Sequence, residues 1–221
     1  MTITEISQFV QSFSIIVASL AAVYGFDAWR REFIHKRRVE LAELVLELFY
    51  KARDVIFEIR SPFGYAREGA TRRADEDENP EHKNALDTAY VLIERYNKHS
   101  ELFAQIRATR YRVMAQLGIK AVEPFDALNR LVNELLLSAR QMARLSTAPN
   151  LSLGSEKAEQ NHREQLLKVH AIYCWSGDDN DDPIAPRMDA IIADVETGCR
   201  HIIESKGTLF SFINLKIWRN G

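Results

Sequence analysis

Two cysteines are all the sequence holds, and Cys174 and Cys199 form neither a paired metal spacing nor a disulfide framework. That scarcity fits a reducing compartment. No run alternates polar and apolar residues with period two between turn signals, so strands are not expected. A net charge of −2 at pH 7 gives no overall pull toward nucleic acid, and no nucleic-acid partner is expected. There is no phosphate-cradling loop, nucleophile elbow or dinucleotide fingerprint, no internal repeat and no low-complexity tract. The most informative absence is local. Residues 6–26, ISQFVQSFSIIVASLAAVYGF, contain no charged side chain.

A helix over those residues covers about 30 Å, the hydrocarbon thickness of a bilayer. The positive charges come after the apolar run, at Arg30, Arg31, Lys36, Arg37 and Arg38, and the only charge before it is Glu5. A cleaved secretory signal has the opposite order, so residues 1–28 are expected to remain as an anchor. By the positive-inside rule the basic cluster stays in the cytoplasm, with the short N-terminus outside. The same five cations are the expected contacts to lipid headgroups, and Tyr24 and Trp29 suit the headgroup level. Ser7, Gln11, Ser14, Ala18, Ala21 and Gly25 recur at spacings of four and three, which places them on one stripe. In lipid, small and polar residues form association faces, so a homo-oligomer or a helical partner is expected. The competing readings are a buried helix of a soluble bundle, and a tolerant single span whose serines bond to their own carbonyls.

The chain as a whole is of ordinary globular composition, 46% hydrophobic and 27% charged, and the part beyond the anchor is long enough for one sizeable domain. Residues 29–60 carry apolar positions at Phe33, Leu41, Leu44, Val45, Leu48, Ala52, Val55, Ile56 and Ile59 between charges, an amphipathic stalk helix ended by Ser61-Pro62. Residues 61–82 read as a loop. Residues 83–207 read as a helical bundle: one helix through Leu86 to Leu117 closed by Gly118, another from Pro124, a third capped by Ser155, and a last one from Pro186 to Lys206-Gly207. Residues 208–221 are an apolar tail, expected to dock on the bundle or the membrane surface. The fold class is therefore all-α: an N-terminal transmembrane helix continuing into an amphipathic stalk and a cytoplasmic helical bundle.

DAWRREFIHKRRVELAELVLELFYKARDVIFEIRSPF, ALDTAYVLIERYNKHSELFAQIRATRYRVMAQLG, PFDALNRLVNE and DDPIAPRMDAIIADVE together resemble an uncharacterised bacterial family of small proteins with an N-terminal hydrophobic helix and a helical remainder. The resemblance spans roughly residues 27–199 and is most specific in WRREF-x-x-KR and IR-x-P. It implies a bacterial source and a membrane-anchored helical protein, which with the charge pattern is expected in the inner membrane, and it carries over no catalytic residue.

Five patterns invite chemistry. Arg163 with His170, and Arg30 with His35, have spacings that look like the motif of helical HEPN-group ribonucleases, but loose Arg-His pairs arise by chance about as often as they occur here. Glu159-x-x-His162 and Glu32-x-x-His35 look like di-iron ligand pairs, yet lie in polar or basic surroundings rather than a dry core. Asp178, Asn180, Asp182 and Asp189 have calcium-loop spacings, but Pro183 stands where the loop needs glycine. No catalytic residue, metal or cofactor is therefore assigned. The chain is read as a non-enzymatic membrane-anchored module that self-associates or recruits a cytoplasmic partner; the alternative is a membrane-associated effector, either a HEPN-like ribonuclease acting through Arg163 and His170 or a pore-forming oligomer.

Overall fold

The computed structural model describes residues 3–64, 68–74, 78–80, 82–147, 156–175 and 182–205, with side chains at Gln11 and from Phe13 onward. Six α-helices occur among them: α1 (Ile3–Ile59), α2 (Lys83–Lys98), α3 (Ser100–Leu117), α4 (Glu123–Thr147), α5 (Glu156–Tyr173) and α6 (Ala185–Glu204), with a 3₁₀ turn at Ile119–Val122. No strand appears among the described residues, so the protein is all-helical. α1 runs unbroken because no proline precedes Pro62 and Gly25 is its only glycine, at a cost of about 1 kcal/mol.

The chain divides into two compact units, Met1–Glu43 with Cys199–Gly221, and Leu44–Gly198. In the first, residues 13–30 are exposed throughout, whereas Leu41, Ala42 and Cys199 are buried. The second has a core of its own. α1 contributes Val45, Leu48, Phe49, Ala52, Ile56 and Ile59, at the three- and four-residue spacings of one helix face. α4 contributes Phe125, Leu128, Leu131, Val132, Leu135 and Ala139, and α6 contributes Met188, Ile191, Ile192 and Val195. Phe49 meets Phe125 edge-on at 4.9 Å, and Tyr96 stacks on Phe103 at 5.0 Å. Each large apolar side chain buried here stabilises the fold by about 1.5–3 kcal/mol.

α4 is the central element of this unit, packed on α2 and on α5. Periodicity alone reads residues 86–117 as one helix, but the structure breaks it at His99 (φ −106°, ψ 14°), where the His99 N–H donates to Tyr96 O. The apolar positions pause between Tyr96 and Leu102, and Asn97, His99 and Ser100 are weak helix formers. α5 is the least buried of these helices, with no fully buried residue. It presents Leu166, Val169 and Tyr173 half-buried along one side and charge along the other.

The connection before α2 is held from α2 itself. Glu94 accepts from the Gly69 N–H at 2.8 Å and from the Thr71 hydroxyl at 2.9 Å, while Arg72 bridges Asp87 and Glu78. Gly69 is required there for two reasons: its φ is +85°, and an added Cβ would lie 2.1 Å from the Asp87 carbonyl oxygen. Gly69→Ala is expected to destabilise the protein by at least about 2 kcal/mol, read as a lower urea midpoint with an unchanged slope; an unchanged midpoint would show that this turn is not part of the cooperative fold.

Candidate functional site

The feature least explained by a soluble fold is the run of apolar side chains on α1. Phe13, Ile15, Ile16, Val17, Leu20, Val23, Tyr24, Phe26 and Trp29 are all between 49% and 68% exposed. Monomeric soluble proteins seldom leave a contiguous apolar surface of this extent in water. The helix contains an eighteen-residue window long and apolar enough to cross a membrane, with none of it buried. On the small and polar stripe, Gln11, Ser14, Ala18, Ala21 and Gly25 are exposed, and the side chain of Ser7 lies outside the described set. A Cβ added at Gly25 would meet nothing within 4 Å. Ser19, off the stripe, donates to Ile15 O at 2.8 Å, so a serine within the span satisfies its own hydroxyl. The basic cluster is not uniform. Arg30, Lys36 and Arg37 are exposed, whereas Arg31 and Arg38 are half-buried and Arg31 pairs with Asp27.

A second centre lies where α1 ends, in the unit formed by Leu44–Gly198. Arg60, 1% exposed, donates to both Asp182 carboxylate oxygens at 2.8 Å and to the carbonyls of Ala171 and Ile172 at 2.9 Å, the last turn of α5. Its own carbonyl accepts from the Trp175 N–H at 2.9 Å. Asp182 also accepts from the Ile184 N–H, capping the start of α6. Arg95, 5% exposed, does the same for α1, donating to the carbonyls of Glu58, Ile59, Ser61 and Phe63 and to the Glu68 carboxylate. A helix end leaves four carbonyls unpaired, and these guanidiniums, with five donors each, supply the missing partners. Sequence reading missed both residues. The available signal was an arginine beside the helix-ending Ser61-Pro62, and another inside the otherwise apolar face of VLIERY.

The centre is chemically closed. Both arginines are neutralised, their donors point at protein oxygens, and neither carboxylate is free to move a proton. Burial raises the Asp182 pKa, but the Arg60 hydrogen bonds and the Ile184 N–H outweigh this and hold it below the usual carboxylate range. Nearby, Tyr173 donates to Thr88 O at 2.6 Å and burial pushes its pKa up to about 12. Burial also raises the thiol of Cys174, and that of Cys199 to about 11, so neither is an activated nucleophile.

The groove between α3 and α4 has a volume of about 220 Å³, a floor of Phe103, Ile106, Phe125 and Leu128, and a rim holding Arg107 and Tyr111. Arg110 spans the rim to Asp126 at 2.9 Å, and that hydrogen bond lowers the Asp126 pKa. No carboxylate pair or nucleophile–base pair faces into it. Arg163 and His170 are both exposed on α5, seven residues and therefore about 10 Å of helix rise apart, and neither lines the groove. Glu159 is exposed and His162 half-buried, as is His35 beside exposed Glu32. Of the calcium-spaced residues, Asp178 and Asn180 lie outside the described set, Asp189 is exposed and Asp182 is committed to Arg60. Among the described residues no group of three or more His, Cys, Asp or Glu is placed to hold a metal ion.

Removing one partner of the clasp leaves a buried charge unpaired, so Asp182→Asn is expected to cost about 3–5 kcal/mol. The acid limb follows from the lowered pKa. The stabilisation is present above the unfolded value of about 4 and is lost as pH falls through the lower folded value. Wild type should therefore lose stability on acidification below pH 4 more steeply than the variant in denaturant titrations; parallel curves would contradict this. No family model, curated protein or solved structure matches the chain.

Proposed function

We propose that the protein is a non-enzymatic, membrane-anchored helical interaction module that self-associates or recruits a cytoplasmic helical partner. Its site of action would be the bacterial inner membrane, with α1 crossing once, the N-terminus outside and the helical remainder in the cytoplasm. The observation that carries this reading is the fully exposed apolar window of α1 in a chain whose Leu44–Gly198 unit has a separate, well-filled core. Exposed Arg30, Lys36 and Arg37, following the apolar run, support the orientation. The saturated state of the Arg60–Asp182 and Arg95–Glu68 pairs supports a structural use for the charges that are buried.

The ribonuclease reading keeps one supporting observation, the exposure of Arg163 and His170 on the same side of α5. Replacing both by alanine separates it from the binding module: any cellular effect of the protein should survive the double change, and its loss with the fold intact would favour the enzyme.

Self-association is tested by energy transfer between full-length chains labelled in bacterial membranes. Ala18→Ile with Gly25→Ile blocks the close approach of the stripe and is expected to weaken association roughly three- to tenfold. Val23→Ala, on the opposite side, should leave it unchanged. Equal effects from the two variants would contradict the stripe as the contact face.

A further inference from the structure

On residues 26–37, α1 is two-sided in a way that composition does not reveal. At 100° per residue, Phe26, Trp29, Arg30, Phe33, Lys36 and Arg37 fall within about 120° of arc; Asp27 and Glu32 lie outside it, and the first acidic residue on it is Glu40, one turn beyond Lys36. The aromatics form a ladder. Phe26 and Trp29 have ring centroids 5.8 Å apart, Trp29 and Phe33 stack at 6.0 Å, and the Arg37 guanidinium carbon sits 4.6 Å above the Phe33 ring. The rings are 65%, 60% and 46% exposed, and the three cations are exposed as well. On the rest of the circumference, Arg31, His35, Arg38 and Val39 are half-buried, and the Arg31 charge is met by Asp27.

We infer that this face is an anionic-lipid contact, with Phe26, Trp29 and Phe33 seated at the acyl–headgroup boundary and Arg30, Lys36 and Arg37 reaching lipid phosphates, whereas Arg31 and Arg38 take no part. The inference rests on the membrane reading above and divides the basic cluster in two. Aromatic rings with an apolar body favour the interface, where one side is dry and the other wet. Glu40 follows one turn beyond Lys36 on the same face, yet none of the three cations forms an ion pair among the described residues, so their charge is available to an anionic occupant. A guanidinium held over a ring keeps its in-plane N–H fork free and restrained, the geometry that suits a phosphate. Phosphates at a membrane surface, immediately beyond an apolar span, meet all three conditions.

The experiment uses the full chain carrying Trp175→Phe and Trp218→Phe, so that Trp29 alone fluoresces. It is reconstituted in phosphatidylcholine vesicles containing a small fraction of lipid brominated near the glycerol end, either phosphatidylglycerol or phosphatidylcholine. Brominated phosphatidylglycerol should quench several-fold more than its zwitterionic counterpart at equal fraction. Arg30→Gln with Arg37→Gln should abolish that preference, since each cation near an anionic surface contributes about fivefold. Arg31→Gln with Arg38→Gln removes the same charge and should keep most of it. Equal losses in the two pairs, or no preference in the parent chain, overturn the inference while the anchor stands. Release of the parent chain from the vesicles by alkaline carbonate overturns both.

Discussion

Apolar surface has to leave water, and α1 meets that requirement differently along its length. Between Val45 and Ile59 one face of it, Val45, Leu48, Phe49, Ala52, Ile56 and Ile59, enters a protein core and is almost completely covered. From Phe13 to Trp29 the apolar residues are equally dense, yet protein covers none of that window. Nothing in the backbone separates the two regimes, because α1 is one helix of 57 residues. What separates them is the band at residues 27–40, where charge begins and aromatic rings lie along one side. The proposed bilayer would resolve the contradiction: it would supply a dry medium for the first stretch, a polar and anionic boundary for the band, and water around the Leu44–Gly198 unit.

Buried charge is the second constraint on the fold. Burying two arginines is costly unless their donors find oxygens, and both find backbone carbonyls at helix ends together with a carboxylate. Arg60 joins the last turn of α5 to the cap of α6 through Asp182, and Arg95 gathers the loose carbonyls at the end of α1. Charge is thereby spent on connecting elements. The same logic makes these pairs poor catalysts, since groups saturated by protein have no vacancy for a substrate. The α3–α4 groove differs, being open and apolar with Arg107 and Tyr111 on its rim, which suits an apolar side chain of another molecule better than a reaction.

Much of this was legible in the sequence. The uncharged run, the basic residues after it and the three- to four-residue spacing of Leu41, Leu48, Ala52 and Ile59 lead to an all-helical chain with a long apolar first helix, because such patterns depend only on neighbours along one helix. Roles set by distant partners were not legible. Arg60 meets Asp182 across 122 positions, and no local pattern announces that pairing. The break at His99 escaped because apolar spacing resumes in a compatible phase on its far side. The division of the basic cluster also escaped, since five cations in nine residues look alike until burial tells Arg31 and Arg38 from Arg30, Lys36 and Arg37.

The central claim is that α1 is integrated in a bilayer rather than packed against protein. It is tested most directly by washing membranes from bacteria expressing the full chain with alkaline carbonate, which strips peripheral proteins and leaves spanning ones. The account predicts that the chain stays in the sedimented membrane. Quantitative release into the supernatant as a folded species would contradict it, and would make residues 13–29 the buried contact of a soluble oligomer.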